Sequence, residues 1–237
     1  MRLGILGGGR AAWAYGTAWR RIGWPLTGVW LRPESTSRLP KLLDIPRRSV
    51  ADLAAQSELL LVAVSDRAIE SVIAQIPQRE GIVFHASGAL PAAEDGFSLH
   101  PLKVLPPVGE PSDLSDALLV FQGEHRKTAK LIAVAVGARF AEVSAGQKPL
   151  YHAAAVFGAN YVAALLDVAD SLMRRAGVGD VRLDIISLAA SAVENWKLHD
   201  DSRRCTGPAA RGDEEVMARH LAAIGDDAQV AELYKLL

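Results

Sequence analysis

A glycine cluster at the start of the chain constrains the fold more than any other feature. Leu3-Gly4-Ile5-Leu6 has strand character, Gly7-Gly8-Gly9 interrupts it, and Arg10-Ala11-Ala12 opens a helix-forming run that reaches Ile22. Strand, glycine turn and helix start, in that order, describe a dinucleotide-binding turn. Gly7 permits the tight turn, Gly9 lets the backbone approach a pyrophosphate, and Ala12 takes the position where a small residue allows close helix–strand packing. The unpaired N–H groups around Arg10 and Ala11 then aim at phosphate. Gly7, Gly8, Gly9, Arg10 and Ala11 are therefore the candidate phosphate cradle; the competing reading is a tight βα turn with no ligand.

The next segments extend the same pattern. Leu26–Leu31 reads as a second strand, with Arg32 just past its end, 23 residues after Gly9. In a dinucleotide fold this position faces the adenosine ribose, where an acid favours NAD and an Arg favours the extra phosphate of NADP. A hydrogen bond to a charged group is worth about 1.5–3 kcal/mol, roughly ten- to a hundredfold in affinity. Arg32 thus places NADP ahead of NAD, while Glu34 keeps NAD in play; a solvated surface Arg is the alternative.

Leu39–Gln56 is polar and broken by Pro40 and Pro46, with Ser49 as the cap of a short helix. Leu59–Val64 is continuously apolar, as a strand buried on both faces requires. Asp66 can cap a helix over Arg67–Ile76. Gly81–His85 is the next strand and ends in Ala86-Ser87-Gly88. Ligands of open parallel sheets bind beyond the carboxyl ends of strands, so Ser65, His85 and Ser87 stand on the productive edge. Ser87 reads equally as a turn serine. Pro101 favours extended backbone at His100. Leu118–Gln122 and Arg139–Val143 read as strands around a helix at His125–Val136. The alternation to residue 144 predicts an α/β domain, a Rossmann-like doubly wound parallel sheet over 1–144.

From 145 to 237 the pattern is helical, giving an all-α second domain. Tyr151, Ala155, Val162, Leu166, Ala169 and Met173 lie near one stripe of a long helix ending at Gly177. A second helix covers about Asp180–Asp200. Ser202–Gly212 reads as a loop, with helices near Asp213–Ile224 and Asp226–Leu236.

A net charge of −1 gives no electrostatic case for nucleic acid or an anionic membrane. No window reads as an uncharged membrane span, and the N-terminus does not read as a signal peptide. Cys205 is the single cysteine, so no intrachain disulfide forms and a reducing cytoplasm fits. It has no local base and reads as an inert thiol. No His/Cys/Asp cluster has metal-ligand spacing. The tryptophans read as packing residues.

Lys148-Pro149-Leu150-Tyr151-His152-Ala153-Ala154-Ala155-Val156-Phe157-Gly158-Ala159-Asn160-Tyr161, Thr206-Gly207-Pro208-Ala209-Ala210-Arg211-Gly212-Asp213, His85-Ala86-Ser87-Gly88 and Leu99-His100-Pro101-Leu102 together carry a resemblance. The chain resembles the bacterial two-domain family with a Rossmann-like N-terminal domain and the C-terminal domain of unknown function 2520. Its architecture is similar to that of 6-phosphogluconate and 3-hydroxyacid dehydrogenases, pyrroline-5-carboxylate reductase and ketopantoate reductase. The resemblance implies an NADP-linked oxidoreductase, with a site between the domains and a homodimer formed through the helical half. One branch of the family is thought to reduce ketopantoate, which makes a small carboxylate the implied substrate.

Hydride transfer to a carbonyl puts negative charge on its oxygen, so the site must stabilise that charge and deliver a proton. Related dehydrogenases carry Lys-x-x-x-Asn with the lysine as donor; here the pattern is Lys148-x-x-x-His152. Lys148 is the expected donor, and His152 orients the carbonyl or shares the proton. Pro149 leads us to expect Lys148 ahead of the helix proper, so that the pair is no simple i,i+4 contact. A surface lysine and a packing histidine are the plainer alternative. His100 is the rival acid–base group, since its His-Pro is similar to that of prephenate dehydrogenases; a loop histidine on the sheet edge competes.

Asn160 lies roughly 12 Å beyond His152 along a helix; it holds the nicotinamide side or bonds within the core. Thr206, Arg211 and Asp213 form a polar loop in which Arg211 is the substrate-carboxylate candidate, against an Arg211–Asp213 pair at a helix cap. A dinucleotide-binding sensor without turnover is the main alternative function. A deazaflavin-linked or prephenate-type reaction is a third.

Overall fold

The computed structural model describes residues 1–78, 81–199 and 207–236. The chain divides into two compact units, Met1–Val156 and Phe157–Leu237. The first unit holds the whole sheet: β1 (Leu3–Leu6), β2 (Leu26–Trp30), β3 (Leu59–Val62), β4 (Ile82–His85), β5 (Phe97–Leu102), β6 (Leu118–Gly123) and β7 (Arg139–Glu142). Their spatial order is β2-β1-β3-β4-β5-β6-β7. Around it lie α1 (Arg10–Arg21), α2 (Leu39–Leu43), α3 (Val50–Gln56), α4 (Asp66–Ile73), α5 (Arg126–Ala135) and α6 (Lys148–Val156).

Two details refine the expected doubly wound parallel sheet. β5 and β6 pair antiparallel, whereas the other neighbours run parallel. Residues 103–117 form no helix that could return the chain for a parallel crossover, so β6 runs back beside β5. Beyond β2, the segment broken by Pro40 and Pro46 leaves a single parallel bridge, Val29 to Arg47, in place of an outer strand.

Alternation along the strands sorts the core into two layers. On one face Leu3, Ile5, Leu61, Phe84, Phe97 and Leu99 pack against Tyr15 and Trp19 of α1. Phe84 and Phe97 stack with centroids 4.7 Å apart, an arrangement worth about 0.5–1.5 kcal/mol beyond burial. On the other face Leu6, Leu60 and Val62 pack against Val50, Leu53, Ile69 and Val72. Ser49 caps α3 as expected: its Oγ accepts the Asp52 N–H at 3.0 Å. At α4 the cap position belongs to Ser65, and Asp66 is the first helical residue.

β4 and β5 pair only at Phe84–Phe97 and His85–Ser98. Past that point the strands part, and the end of β5 pairs with β6 alone. His85, Ser98 and His100 lie on the face opposite Phe84, Phe97 and Leu99, so the parting strands present a polar surface to α6.

The second unit contains α7 (Val162–Arg175), α8 (Arg182–Leu198), α9 (Pro208–Arg211), α10 (Glu214–Ile224) and α11 (Ala228–Leu236). Pro208–Arg211 is therefore a short helix within the segment expected to be a loop, started by Pro208 in its first turn. A π-helical turn at Phe157–Tyr161 precedes α7. Its extra residue per turn breaks the single stripe expected from Tyr151 to Met173. The α10–α11 pair closes on a His220 Nδ1 to Tyr234 hydroxyl bond of 2.7 Å. Leu183, Leu188 and Val193 of α8 are exposed, as are Phe157 and Leu165. Contrary to expectation, Ala145–Arg175 is long and apolar enough, by length and composition, to cross a membrane; one window has mean hydropathy 1.3.

Candidate active site

The glycine turn forms as its spacing demands. Gly7 has φ +121°, and a Cβ there would sit 2.2 Å from the Ala63 carbonyl oxygen. β1 and β3 are thus joined at a distance only glycine tolerates. Gly8 is held by Ser37, whose Oγ donates to its carbonyl at 2.6 Å. Gly9 is the N-cap of α1, with no side-chain cap and no acid in the first turn. A Cβ at Gly9 would meet nothing within 4 Å. The start of α1 therefore faces open space with its first N–H groups free for an anion.

That space is a cavity of about 380 Å³ lined by Gly7, Gly8, Gly9, Arg10, Ala11, Arg32, Ser35 and Ser65, with Trp30, Leu31, Ala63, Val64, Ala68 and Val72 as its apolar walls. No acidic side chain is among these lining residues. Arg32 is exposed at the rim, with Nε 3.4 Å from Glu34 Oε1, a contact that solvent screens. An open phosphate cradle, apolar walls for an adenine ring and a cation past β2 fit a nucleoside diphosphate bearing a further phosphate. Ser87 lies outside this cavity. Its Oγ accepts the Ala89 and Leu90 N–H groups at 3.2 and 3.0 Å, the bonding of a turn serine.

A second group of polar residues gathers where β4 and β5 part. Lys148 is the first residue of α6 and is helical, with φ −58° and ψ −40°. This corrects the expectation that Pro149 would leave it ahead of the helix: a proline in the first turn costs no intrahelical bond. Lys148 and His152 are consequently i and i+4 on one face. Lys148 is 2% exposed and donates to the hydroxyl of Ser98, itself fully buried. Burial lowers its pKa to about 8, with Asp66 acting in the opposite direction.

One turn on, the Tyr151 hydroxyl meets His100 Nδ1 at 2.6 Å. His152 presents its ring edge-on to His100, with centroids 6.1 Å apart. Both imidazoles lean on Gly88, where a Cβ would come within 2.6 Å of His152 Cδ2 and 3.0 Å of His100 Nε2. Burial, then the neighbouring His152 and Lys148, push the His100 pKa down to about 4, while Asp66 opposes. Burial also lowers the His85 pKa. Its Nδ1 accepts the Ser87 N–H at 3.2 Å and its Nε2 faces the Pro91 carbonyl at 2.9 Å, which defines a neutral, fully engaged ring. Burial raises the Tyr151 pKa to about 12, so its hydroxyl stays protonated.

The structure thus brings Lys148, His152 and His100 together within the first unit, and adds three partners that the sequence reading missed. Ser98 was detectable as the residue two before His100, on the same strand face. Tyr151 was detectable as the helix neighbour between Lys148 and His152. Gly88 needed coordinates. Asn160 is exposed in the π-helical turn of the second unit. Arg211 binds Asp213 through Nε and Nη2 at 3.1 and 3.0 Å. Thr206 lies outside the described residues. No group of three metal-ligating side chains occurs among the described residues.

Residues 1–97 match the Rossmann-like domain model, and residues 120–237 match the domain of unknown function DUF2520. No curated protein sequence matches the chain. Among solved structures, the "putative NADP oxidoreductase BF3122" from Bacteroides fragilis is similar at TM-score 0.84 and 20% identity, covering 99% of this chain and 95% of that one. Protein TM1727 from Thermotoga maritima gives 0.71 and 20%, covering 98% and 94%. An imine reductase from Myxococcus stipitatus in complex with NADP+ gives 0.71 and 17%, covering 99% and 92%. At these identities the likeness is one of fold.

Proposed function

From a chain that joins a Rossmann-like domain to a DUF2520 domain, we propose an NADP-dependent oxidoreductase that reduces the carbonyl of a small oxo acid, or oxidises the matching hydroxy acid. Ketopantoate is one candidate substrate. The observation that carries this reading is the pairing, on one sheet edge, of an open phosphate cradle at Gly9 with the buried Lys148 and the half-buried His100 and His152. Proteins of similar fold that hold NADP+ support the cofactor.

When bound, the reduced nicotinamide supplies a hydride. Gly7–Ala11 hold the pyrophosphate and Arg32 the additional phosphate. Lys148, with a pKa near 8, carries a proton at neutral pH and releases it more readily than an exposed lysine. His152 and His100 orient the carbonyl oxygen. The Lys148 ammonium favours an anionic substrate over a cationic iminium, since like charges repel strongly at a desolvated site. The exposed apolar residues of α8 and of Phe157–Leu165 are assigned to a second copy of the chain, giving a homodimer in the reducing cytoplasm that a single cysteine suits. Sedimentation in detergent-free buffer tests this, and a monomer at all concentrations refutes it.

The decisive experiment titrates NADPH and NADH by fluorescence, then follows NADPH oxidation against a panel of oxo acids. Tight NADPH binding with turnover of at least one acid is expected. Binding with no turnover across the panel turns the chain into a nucleotide sensor, and no binding at millimolar concentration ends both readings.

A further inference from the structure

The role inferred for the Tyr151–His100 contact rests on the proposed function. Among the described residues, His100 makes one hydrogen bond, through Nδ1 to the Tyr151 hydroxyl. Its Nε2 has no partner and lies on the Gly88 side of the ring, beside His152. His100 is half-buried.

We propose that Tyr151 is the positioning residue of this site: its hydroxyl donates to His100 Nδ1 and thereby fixes the imidazole as the Nε2–H tautomer, with that N–H directed at the substrate oxygen. A chemical preference sets the direction inferred for the bond. A protonated phenol is a better donor than acceptor, and an unprotonated imidazole nitrogen is a better acceptor than a hydroxyl oxygen, which favours Tyr151 O–H donating to Nδ1. The groups facing His100 are Tyr151, His152 and Lys148 from α6, and Asp66 at the start of α4. Burial first, then the second imidazole and the Lys148 ammonium, oppose a positive charge on the ring and keep His100 neutral. A neutral ring with its tautomer fixed offers one aimed donor to an oxygen that gains charge, the requirement for electrostatic stabilisation at an acyl or carbonyl centre. Without the tyrosine hydroxyl the ring divides between two tautomers, and one of them turns a lone pair toward the oxygen.

The test uses the full-length protein with isotope-labelled histidine, reading the His100 ring nitrogens by NMR with and without NADPH. The wild type at neutral pH is expected to show one tautomer, protonated at Nε2. Tyr151→Phe is expected to show a mixture and a higher His100 pKa. A wild-type ring protonated at Nδ1, or a tautomer that Tyr151→Phe leaves unchanged, overturns the proposal whether or not turnover is ever found. For turnover, Tyr151→Phe is expected to lower kcat tenfold or more, with KM and NADPH affinity within twofold of wild type. His100→Gln places an amide near the Nε2 position with no need of the tyrosine. Adding Tyr151→Phe to it is expected to cost less than twofold further. Losses that multiply would show that the two residues act separately and refute the positioning role. Failure of NADPH to bind the wild type would sink the proposed function and leave the tautomer measurement standing.

Discussion

Replacing Lys148 with Met is expected to make the protein more stable and less active. Lys148 is 2% exposed, and burial holds its pKa at about 8 against an ordinary 10.5. That gap corresponds to about 3 kcal/mol of destabilisation at neutral pH. A methionine of similar length removes the ammonium and keeps the packing. Against this, Ser98 loses the group that donates to it, at about 1 kcal/mol. The Ser98 hydroxyl remains directed at the Gln122 carbonyl, 3.5 Å away. The net gain is about 2 kcal/mol, or roughly 4–8 °C in Tm for a chain of this size.

The sign follows from proton counts. Between about pH 8 and 10.5 the unfolded chain holds a proton on this lysine that the folded chain has lost, so wild-type stability rises with pH in that window. Lys148→Met has no such rise. Urea unfolding at pH 7 should favour the variant, and at pH 10.5 or above the wild type. A variant less stable than wild type at pH 7 would refute the reasoning, because the ammonium would then contribute net stability through Ser98 and Asp66.

Gly9→Ala should leave Tm unchanged yet weaken NADPH at least tenfold, because its methyl enters open space that the ligand needs; titration and melting check both. Gly7→Ala should destabilise the fold itself, since its Cβ falls on the Ala63 carbonyl at a backbone φ of +121°. Arg32→Ala should cost NADPH roughly ten- to a hundredfold in affinity and spare NADH, measured side by side. Gly88→Ala should hold its fold and lose about a hundredfold in kcat, because the His100 and His152 rings must both shift.

The first strand, the glycine turn, α1 and Arg32 were legible because they obey local rules of spacing and turn chemistry. The strands at Leu59, Ile82 and Leu118 were legible from apolar runs of the right length. The antiparallel pairing of β5 with β6 was not, since pairing direction depends on the path of residues 103–117, where no periodicity operates. Lys148 and His152 were identifiable as residues, but Pro149 suggested the wrong local geometry. The burial of Lys148 under Ser98 joins positions 50 residues apart, and one sequence holds no signal for such a contact.

Residues 97 to 100 of β5 alternate Phe, Ser, Leu, His, and each pair serves a different side of the sheet. A deletion or insertion of one residue here would exchange the two sides. Phe97 and Leu99 would leave the aromatic core, while Ser98 and His100 would be driven into it. Stability and reactivity are therefore inherited as one package along these four positions. The connection that follows, residues 103–117, holds no helix or strand, so a change of length there leaves both sides of β5 in register.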